Sequence, residues 1–218
     1  MYSVKEIFYT LQGEGAHTGR PAIFCRFSGC NLWSGLEKHR TNAICNFCDT
    51  DFRGTDGPGG GRFDTAEQLA DTLLKYWPTG QTARPFVVCT GGEPLLQLDQ
   101  PLADAMHERD IEIALETNGT LAPPRGIDWV CVSPKGKADV VITECDELKL
   151  VYPQQDAMPE RFAHIRAQYY YLTPVADPHT GSDARLYRDT VTAETIAYCL
   201  AHPQWRLNLQ SHKVINIA

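Results

Sequence analysis

Cys30, Cys45 and Cys48 carry the strongest chemical signal in the chain: one cysteine, fourteen intervening residues, then the pair Cys45-Asn46-Phe47-Cys48. A pair spaced in this way can share a metal or a cluster, and a third thiolate at the end of a preceding strand can reach the same centre. Three chemistries fit the set. A structural zinc site needs four ligands, commonly as two close pairs; only one pair is present here, and His39 would have to complete a Cys3His set. A redox dithiol needs only Cys45 and Cys48 and leaves Cys30 without a purpose. A four-iron cluster takes all three thiolates and leaves one iron without a protein ligand. The amino and carboxylate groups of S-adenosylmethionine can chelate that iron. One electron then breaks a carbon–sulfur bond to give methionine and a 5′-deoxyadenosyl radical, while the protein supplies placement and excludes water.

The other five cysteines do not join this set. A disulfide framework needs an oxidising compartment, and no secretion signal is present. Cys25, Cys89, Cys131 and Cys199 sit in apolar runs and read as buried small hydrophobes. Cys145 lies in a polar stretch and receives no role.

A scaffold must bring the three thiolates together. β-rich runs at 22–27, 86–89, 111–116, 129–132, 148–151 and 169–172 predict six strands. Asp64 with Glu67 marks a helix start, after which Leu69, Leu73, Tyr76 and Trp77 share a face. Residues 95–109 and 192–202 predict two more helices, and 206–209 a last strand. Alternating strands and helices imply α/β architecture, a parallel sheet with helices packed outside it. About six parallel strands make a partial, open β/α barrel, short of the eight in a closed one. The whole chain, 1–218, reads as one domain with a cluster loop at 30–48, and the glycine-rich segment 54–61 as a connector. Cys30-Asn31 follows the first predicted strand, Thr90 to Pro94 (TGGEP) the second, Glu116 to Gly119 (ETNG) the third and Ser133 to Lys135 (SPK) the fourth. Sites in parallel α/β folds lie beyond such carboxyl ends.

The net charge of −7 over 218 residues argues against a nucleic-acid partner, and so against a DNA-binding cluster sensor. No stretch approaches the ~20 apolar residues of a membrane span, and MYSVKEIFYT lacks the apolar core of a signal peptide. A cytoplasmic protein without membrane contact is expected.

Along nearly its whole length the chain resembles the radical S-adenosylmethionine superfamily. Phe47, the aromatic residue before the last cysteine, is similar to the one whose backbone contacts adenine in that superfamily. Gly91-Gly92-Glu93-Pro94 resembles the motif whose backbone binds the methionine amino group, a close approach that glycine permits. The resemblance extends S-adenosylmethionine contacts to Asp49, Gly92, Glu116, Ser133, Lys135 and Thr173. The sixth strand ends Leu172-Thr173-Pro174, where the family places Gln before the Pro.

The long cysteine gap, the segment Phe8 to Gly15 (FYTLQGEG) and the terminal His212 to Ala218 (HKVINIA) resemble the 7-carboxy-7-deazaguanine synthase family of queuosine and deazapurine biosynthesis. That resemblance implies conversion of 6-carboxy-5,6,7,8-tetrahydropterin to 7-carboxy-7-deazaguanine. The deoxyadenosyl radical would take a hydrogen from C6, the ring would contract with loss of ammonia, and S-adenosylmethionine would be regenerated. It assigns the substrate to Leu11, Gln12, Gly13, Glu14, Arg26, Thr90, His212 and Ala218, and a magnesium ion to Thr50. A homodimer and an electron donor such as flavodoxin are also implied.

The side-chain chemistry agrees with these roles. Glu14 can accept two N–H bonds from a pterin edge, and Gln12 can donate or accept. Arg26, within the apolar run IFCRF, would offer a substrate carboxylate a bidentate partner. The alternatives are solvated polar residues in a turn for Gln12 and Glu14, solvent exposure on an edge strand for Arg26, and a turn residue for Thr50. The tail 210–218 is apolar and β-branched, so it reads as ordered. Either its final carboxylate, with Ala218 in place of the family's Pro, accepts substrate N–H bonds, or it is a strand end packed on the core. A glycyl-radical activase shares the cofactor but should lack the FYTLQGEG segment.

Overall fold

The computed structural model describes residues 1–175 and 190–217. Its centre is one nine-stranded sheet in the order β3-β1-β2-β4-β5-β6-β7-β8-β9. The strands are β1 (Tyr2–Leu11), β2 (Pro21–Phe27), β3 (Gly61–Phe63), β4 (Phe86–Gly91), β5 (Glu112–Thr117), β6 (Trp129–Val132), β7 (Glu144–Tyr152), β8 (Arg166–Pro174) and β9 (Trp205–Leu207). From β2 through β9 all pairings are parallel, whereas β1 runs antiparallel to both β2 and β3. The six predicted strands are all present inside this mostly parallel open sheet, the expected last strand appears as β9, and β1 and β3 are added through antiparallel pairings.

Register sorts the side chains onto two faces. Ile7, Ile23, Cys25, Val87, Cys89, Ile113 and Leu115 enter the main apolar core beneath α1 (Ala66–Leu74) and α2 (Gln100–His107). The other face is concave. Phe24, Val88, Ala114 and Trp129 stand side by side across β2, β4, β5 and β6, and Phe8 of β1 stacks on Phe24 at 5.4 Å. One step towards the carboxyl ends, Glu116, Cys131, Glu147 and Tyr169 form a second row. Cys131 is therefore buried in a polar row, among Glu116, Glu147 and Lys149. The expectation that it is an ordinary core hydrophobe is corrected; Cys25 and Cys89 do lie in the apolar core.

Helix boundaries follow local capping. Thr65 accepts from the Gln68 amide at 3.2 Å and starts α1, one residue beyond the expected Asp64. The expected helix over 95–109 is divided: a short 3-10 turn at Pro94–Leu96 ends, and Asp99 accepts from the Leu102 amide to begin α2. Pro101 in the first turn suits a fresh start but not a helix interior. The third helix appears as α3 (Thr190–Ala201).

The glycine-rich segment is more than a connector. Where β3 stops pairing, Pro58 O accepts from Ile7 N at 2.8 Å and Gly57 N donates to Lys5 O at 3.0 Å. The segment thereby covers the outer edge of β1, which would otherwise offer unpaired backbone groups. A Cβ on Gly60 would lie 2.1 Å from Lys5 O, so a side chain is excluded there. The tail is corrected as well: it forms a short helix, α4 (Ser211–Ile215), and not a continued strand.

Candidate active site

Cys30 leaves the end of β2 two residues after Ser28 and sits against the β4 turn. A Cβ on Gly92 would fall 2.1 Å from Gly29 O and 2.8 Å from the Cys30 Cβ, so glycine alone allows the two segments to touch. Cys45 and Cys48 follow a 3-10 turn at Glu37–Asn42. The two thiols bias each other: Cys45, also buried, is pushed above the usual thiol range, and Cys48 is held below it despite its burial. Leu32 and Ala138 pack beside Cys45, with Ile44 and Phe47 against them.

Arg40 holds this loop in shape. It donates to Asn46 O at 3.0 Å and Cys48 O at 2.9 Å, pairs with Glu37 at 2.8 Å, and lies 4.2 Å over the Trp33 ring. His39 instead shares a hydrogen bond with Ser34 Oγ at 2.8 Å and does not line the cavity that holds the three cysteines. The fourth ligand of a Cys3His zinc site is thus turned elsewhere. A three-thiolate donor set fits a four-iron cluster with one open iron.

The strand-end motifs divide into locks and cavity walls. Glu93 is fully buried and accepts from Thr117 Oγ1 and the Asn118 amide, both at 2.8 Å, and from the Leu95 amide at 3.0 Å. Burial raises its pKa, with these donors opposing the rise. Asn118 Nδ2 in turn donates to Asn31 Oδ1 at 2.9 Å, which ties β5 to the cluster loop. Glu116 faces the cavity, and Lys135 donates to Ser133 O at 2.7 Å and to its hydroxyl.

On the opposite wall the chain turns after β1. Gln12 is buried and its Oε1 accepts from the Glu14 amide at 3.2 Å. Glu14 is fixed from two sides: Lys149 Nζ lies 3.0 Å from Oε2, and Gln210 Nε2 donates to Oε1 at 2.8 Å. Burial alone would raise the Glu14 pKa, but Lys149 and Gln210 outweigh it and bring it to about 2. His212 of α4 lies directly on Gly13, where a Cβ would come within 2.2 Å of its Nδ1. Burial lowers the His212 pKa. Lys213 pairs with Asp49 across the cavity mouth. Asn208 joins two walls: it donates to Thr173 Oγ1 and accepts from the Gly15 amide, both at 2.8 Å. Arg26 lies on a strand flanked on both sides, not on an edge, with its Nε on Glu6 at 2.7 Å.

These walls enclose a cavity of ≈ 520 Å³. It is lined by Cys30, Cys45 and Cys48, by Phe47, Asp49, Thr50, Gly92, Glu116, Ser133, Lys135 and Thr173, and by Leu11, Gln12, Gly13, Glu14, Arg26, Thr90 and His212. Ala218, the remaining sequence candidate, lies outside the described residues. Lys149, Arg40, Glu6, Gln210 and Asn208 were not anticipated. Lys149 left a readable signal, a lysine alternating with Leu148 and Leu150 in a strand, the same anomaly that exposed Arg26. Arg40 and Asn208 left none, because Arg40 holds the loop through the backbone oxygens of Asn46 and Cys48 and the partners of Asn208 are remote in sequence.

No protein-family model matches the chain. It is 56% identical over 216 residues to a 7-carboxy-7-deazaguanine synthase of Bordetella pertussis, covering 99% of each chain. The corresponding protein of Caulobacter vibrioides is also 56% identical, again over 99% of each. That of Nitratidesulfovibrio vulgaris is 53% identical over 219 residues and 99% of each chain. Among solved structures, QueE from Escherichia coli matches with a TM-score of 0.69 at 28% identity, over 97% of this chain and 94% of that one.

Proposed function

The chain belongs to the 7-carboxy-7-deazaguanine synthase family, and from that premise we propose how its residues divide the work of the reaction. It is a radical S-adenosylmethionine enzyme of queuosine biosynthesis, which implies a four-iron cluster, S-adenosylmethionine and a pterin substrate. The substrate we assign is 6-carboxy-5,6,7,8-tetrahydropterin, converted to 7-carboxy-7-deazaguanine with release of ammonia. The observation that carries the division of roles is the meeting of the three cysteines and the Gln12–Glu14 turn on one cavity.

Cys30, Cys45 and Cys48 hold the cluster. When bound, the cluster and S-adenosylmethionine together supply a carbon-centred radical able to remove a hydrogen atom from the substrate. Phe47, Asp49, Gly92, Glu116, Ser133, Lys135 and Thr173 position S-adenosylmethionine, with Glu93 acting behind them as the lock between two strand ends. Gln12 and the Glu14 carboxylate, ionised at neutral pH, accept N–H bonds from the pterin edge, and Leu11, Gly13, Thr90 and His212 shape its slot. Arg26 offers its guanidinium to the substrate carboxylate, with Glu6 fixing its orientation. Thr50 contributes one hydroxyl oxygen to a magnesium ion whose other ligands are substrate oxygens and water, a mixture this ion favours. Ala218 completes the substrate contacts.

Residues 1–218 act as one domain in a homodimer, and a small reducing protein such as flavodoxin delivers the electron in the cytoplasm. Among the described residues no helix is long and apolar enough to cross a membrane.

The test is anaerobic reconstitution with iron and sulfide, followed by addition of reductant, S-adenosylmethionine, magnesium and the tetrahydropterin. Mass spectrometry should find the deazaguanine acid and no net consumption of S-adenosylmethionine. Cys45→Ala should lose the cluster absorbance and all turnover; full iron content and activity in that variant would refute the ligand assignment.

A further inference from the structure

Lys149 is a buried ammonium among the carboxylates of the concave face. It stands in β7 with its side chain 7% exposed, and its ammonium touches two carboxylates that belong to different walls of the cavity. Glu116 Oε2, from the end of β5, is 2.9 Å away, and Glu14 Oε2, from the turn after β1, is 3.0 Å away. In the proposed division of roles Glu116 faces S-adenosylmethionine and Glu14 faces the pterin. Without Lys149, two carboxylates would share a buried space with Glu147, which is itself almost fully buried.

We propose that Lys149 is a positioning residue common to both ligand subsites, its single ammonium orienting Glu14 for the pterin and Glu116 for S-adenosylmethionine. The inference rests on the assignment of Glu14 and Glu116 given above. A buried carboxylate without a counter-charge takes up a proton and changes from acceptor to donor. A pterin N–H edge needs an acceptor. The ammonium therefore does more than neutralise: it holds Oε2 while Gln210 holds Oε1, so the carboxylate plane is fixed and the remaining lone pairs are left for substrate.

The groups around the pair define how its removal would be felt. Glu14 faces Lys149 from β7, Gln210 and His212 from the C-terminal segment, and its own neighbour Gln12. Lys149 faces Glu116 from β5, the Cys131 thiol from β6, Glu147 from β7 and Glu14. Burial works against its charge, but these carboxylates raise its pKa, so it stays an ammonium across neutral pH. His212 is the nearby imidazole, its pKa lowered by burial, and replacing it with Gln in every background leaves Glu14 as the reporter.

The experiment measures binding, not turnover. Dissociation constants for the tetrahydropterin and for S-adenosylmethionine are determined anaerobically on cluster-loaded protein between pH 5.5 and 8, with melting temperature recorded for each variant. The parent protein should bind pterin with little pH dependence. Lys149→Met should lose at least about tenfold in affinity for both ligands, and its pterin affinity should fall further towards pH 5.5 as Glu14 protonates. Lys149→Arg should restore the flat pH profile, because the charge returns. A folded Lys149→Met variant with parental affinities and a flat profile overturns the inference. Should that variant not fold, Lys149→Arg and Glu116→Gln carry the test. Changed pterin affinity in Glu116→Gln, across the shared ammonium, supports the link; unchanged pterin affinity there overturns it. Glu14→Gln separates the two levels: if it binds pterin normally, the substrate assignment itself fails. If Glu14→Gln binds weakly while Lys149→Met does not, only the role of Lys149 fails.

Discussion

A carboxylate enclosed by protein has its charge decided by its neighbours, and at Glu14 those neighbours are an ammonium and an amide. Its folded pKa of about 2 is below the ordinary 4.5, so the sign is fixed: its stabilising contribution is complete above pH 4.5 and disappears as pH falls towards 2. The stability gap between the parent and Glu14→Gln, read from urea unfolding, should stay constant from pH 8 to 5 and close only in acid. A gap that shrinks already between pH 8 and 6 would contradict the ion pair. For function, Glu14→Ala should weaken pterin binding roughly tenfold to a hundredfold, the loss of a charge-assisted contact worth ~1.5–3 kcal/mol. Reductive cleavage of S-adenosylmethionine without substrate should persist, because the three cluster cysteines are untouched. The same scale shows what could be read without coordinates. Three cysteines were legible because their type and spacing are chemically unusual, and Glu14 through the family resemblance of the segment that carries it. Cys131 was misread because Trp-Val-Cys-Val is apolar in sequence, whereas register turns its thiol towards Glu116 and Glu147.

Elements transmit these side chains to the cavity through short, sterically strict turns. The six inner strands were legible from their apolar β-branched runs. β1 was hidden because Lys5 and Glu6 interrupt its alternation at the irregularity between Val4 and Glu6, and β3 because three residues carry no pattern. The predicted 95–109 helix failed at Asp99, whose cap begins a new helix where hydrophobic periodicity alone suggested continuity. Gly92 gives the clearest test of element-level control. Its missing side chain lets the β4 turn meet Gly29 O and the Cys30 Cβ, and neither backbone can yield without moving a cluster ligand. Gly92→Ala should keep the sheet, as judged by circular dichroism, yet incorporate less iron on reconstitution and bind S-adenosylmethionine more weakly. Full iron loading in that variant would mean that the contact is slack.

At the scale of the whole molecule, the cavity has a cluster wall built from the middle of the chain and a second wall built from its two ends. The cluster wall runs from Cys30 to Lys135 and is locked by Glu93 and Asn118. The other wall forms when the turn after β1 meets the segment after β9. Gly15 N donates to Asn208, Gln210 to Glu14, and both the amide and hydroxyl of Ser211 donate to Gly13 O at 2.9 Å. These contacts span 193 to 198 residues, so no local pattern announces them. The two walls should therefore be separable. A chain ending after Asn208 keeps the links of that residue to Thr173 and Gly15 but loses Gln210, Ser211, His212 and the Lys213 pair to Asp49. It should still take up iron and bind S-adenosylmethionine, while pterin affinity falls at least about tenfold, the equivalent of 1.4 kcal/mol. Ser211→Pro offers a gentler version, since it removes the amide and hydroxyl donors to Gly13 and leaves the length intact. Parental pterin affinity in both variants would show that the C-terminal segment only covers the sheet. Loss of iron uptake in both would show that the walls fold as one, because the cluster loop makes none of the contacts removed in Ser211→Pro.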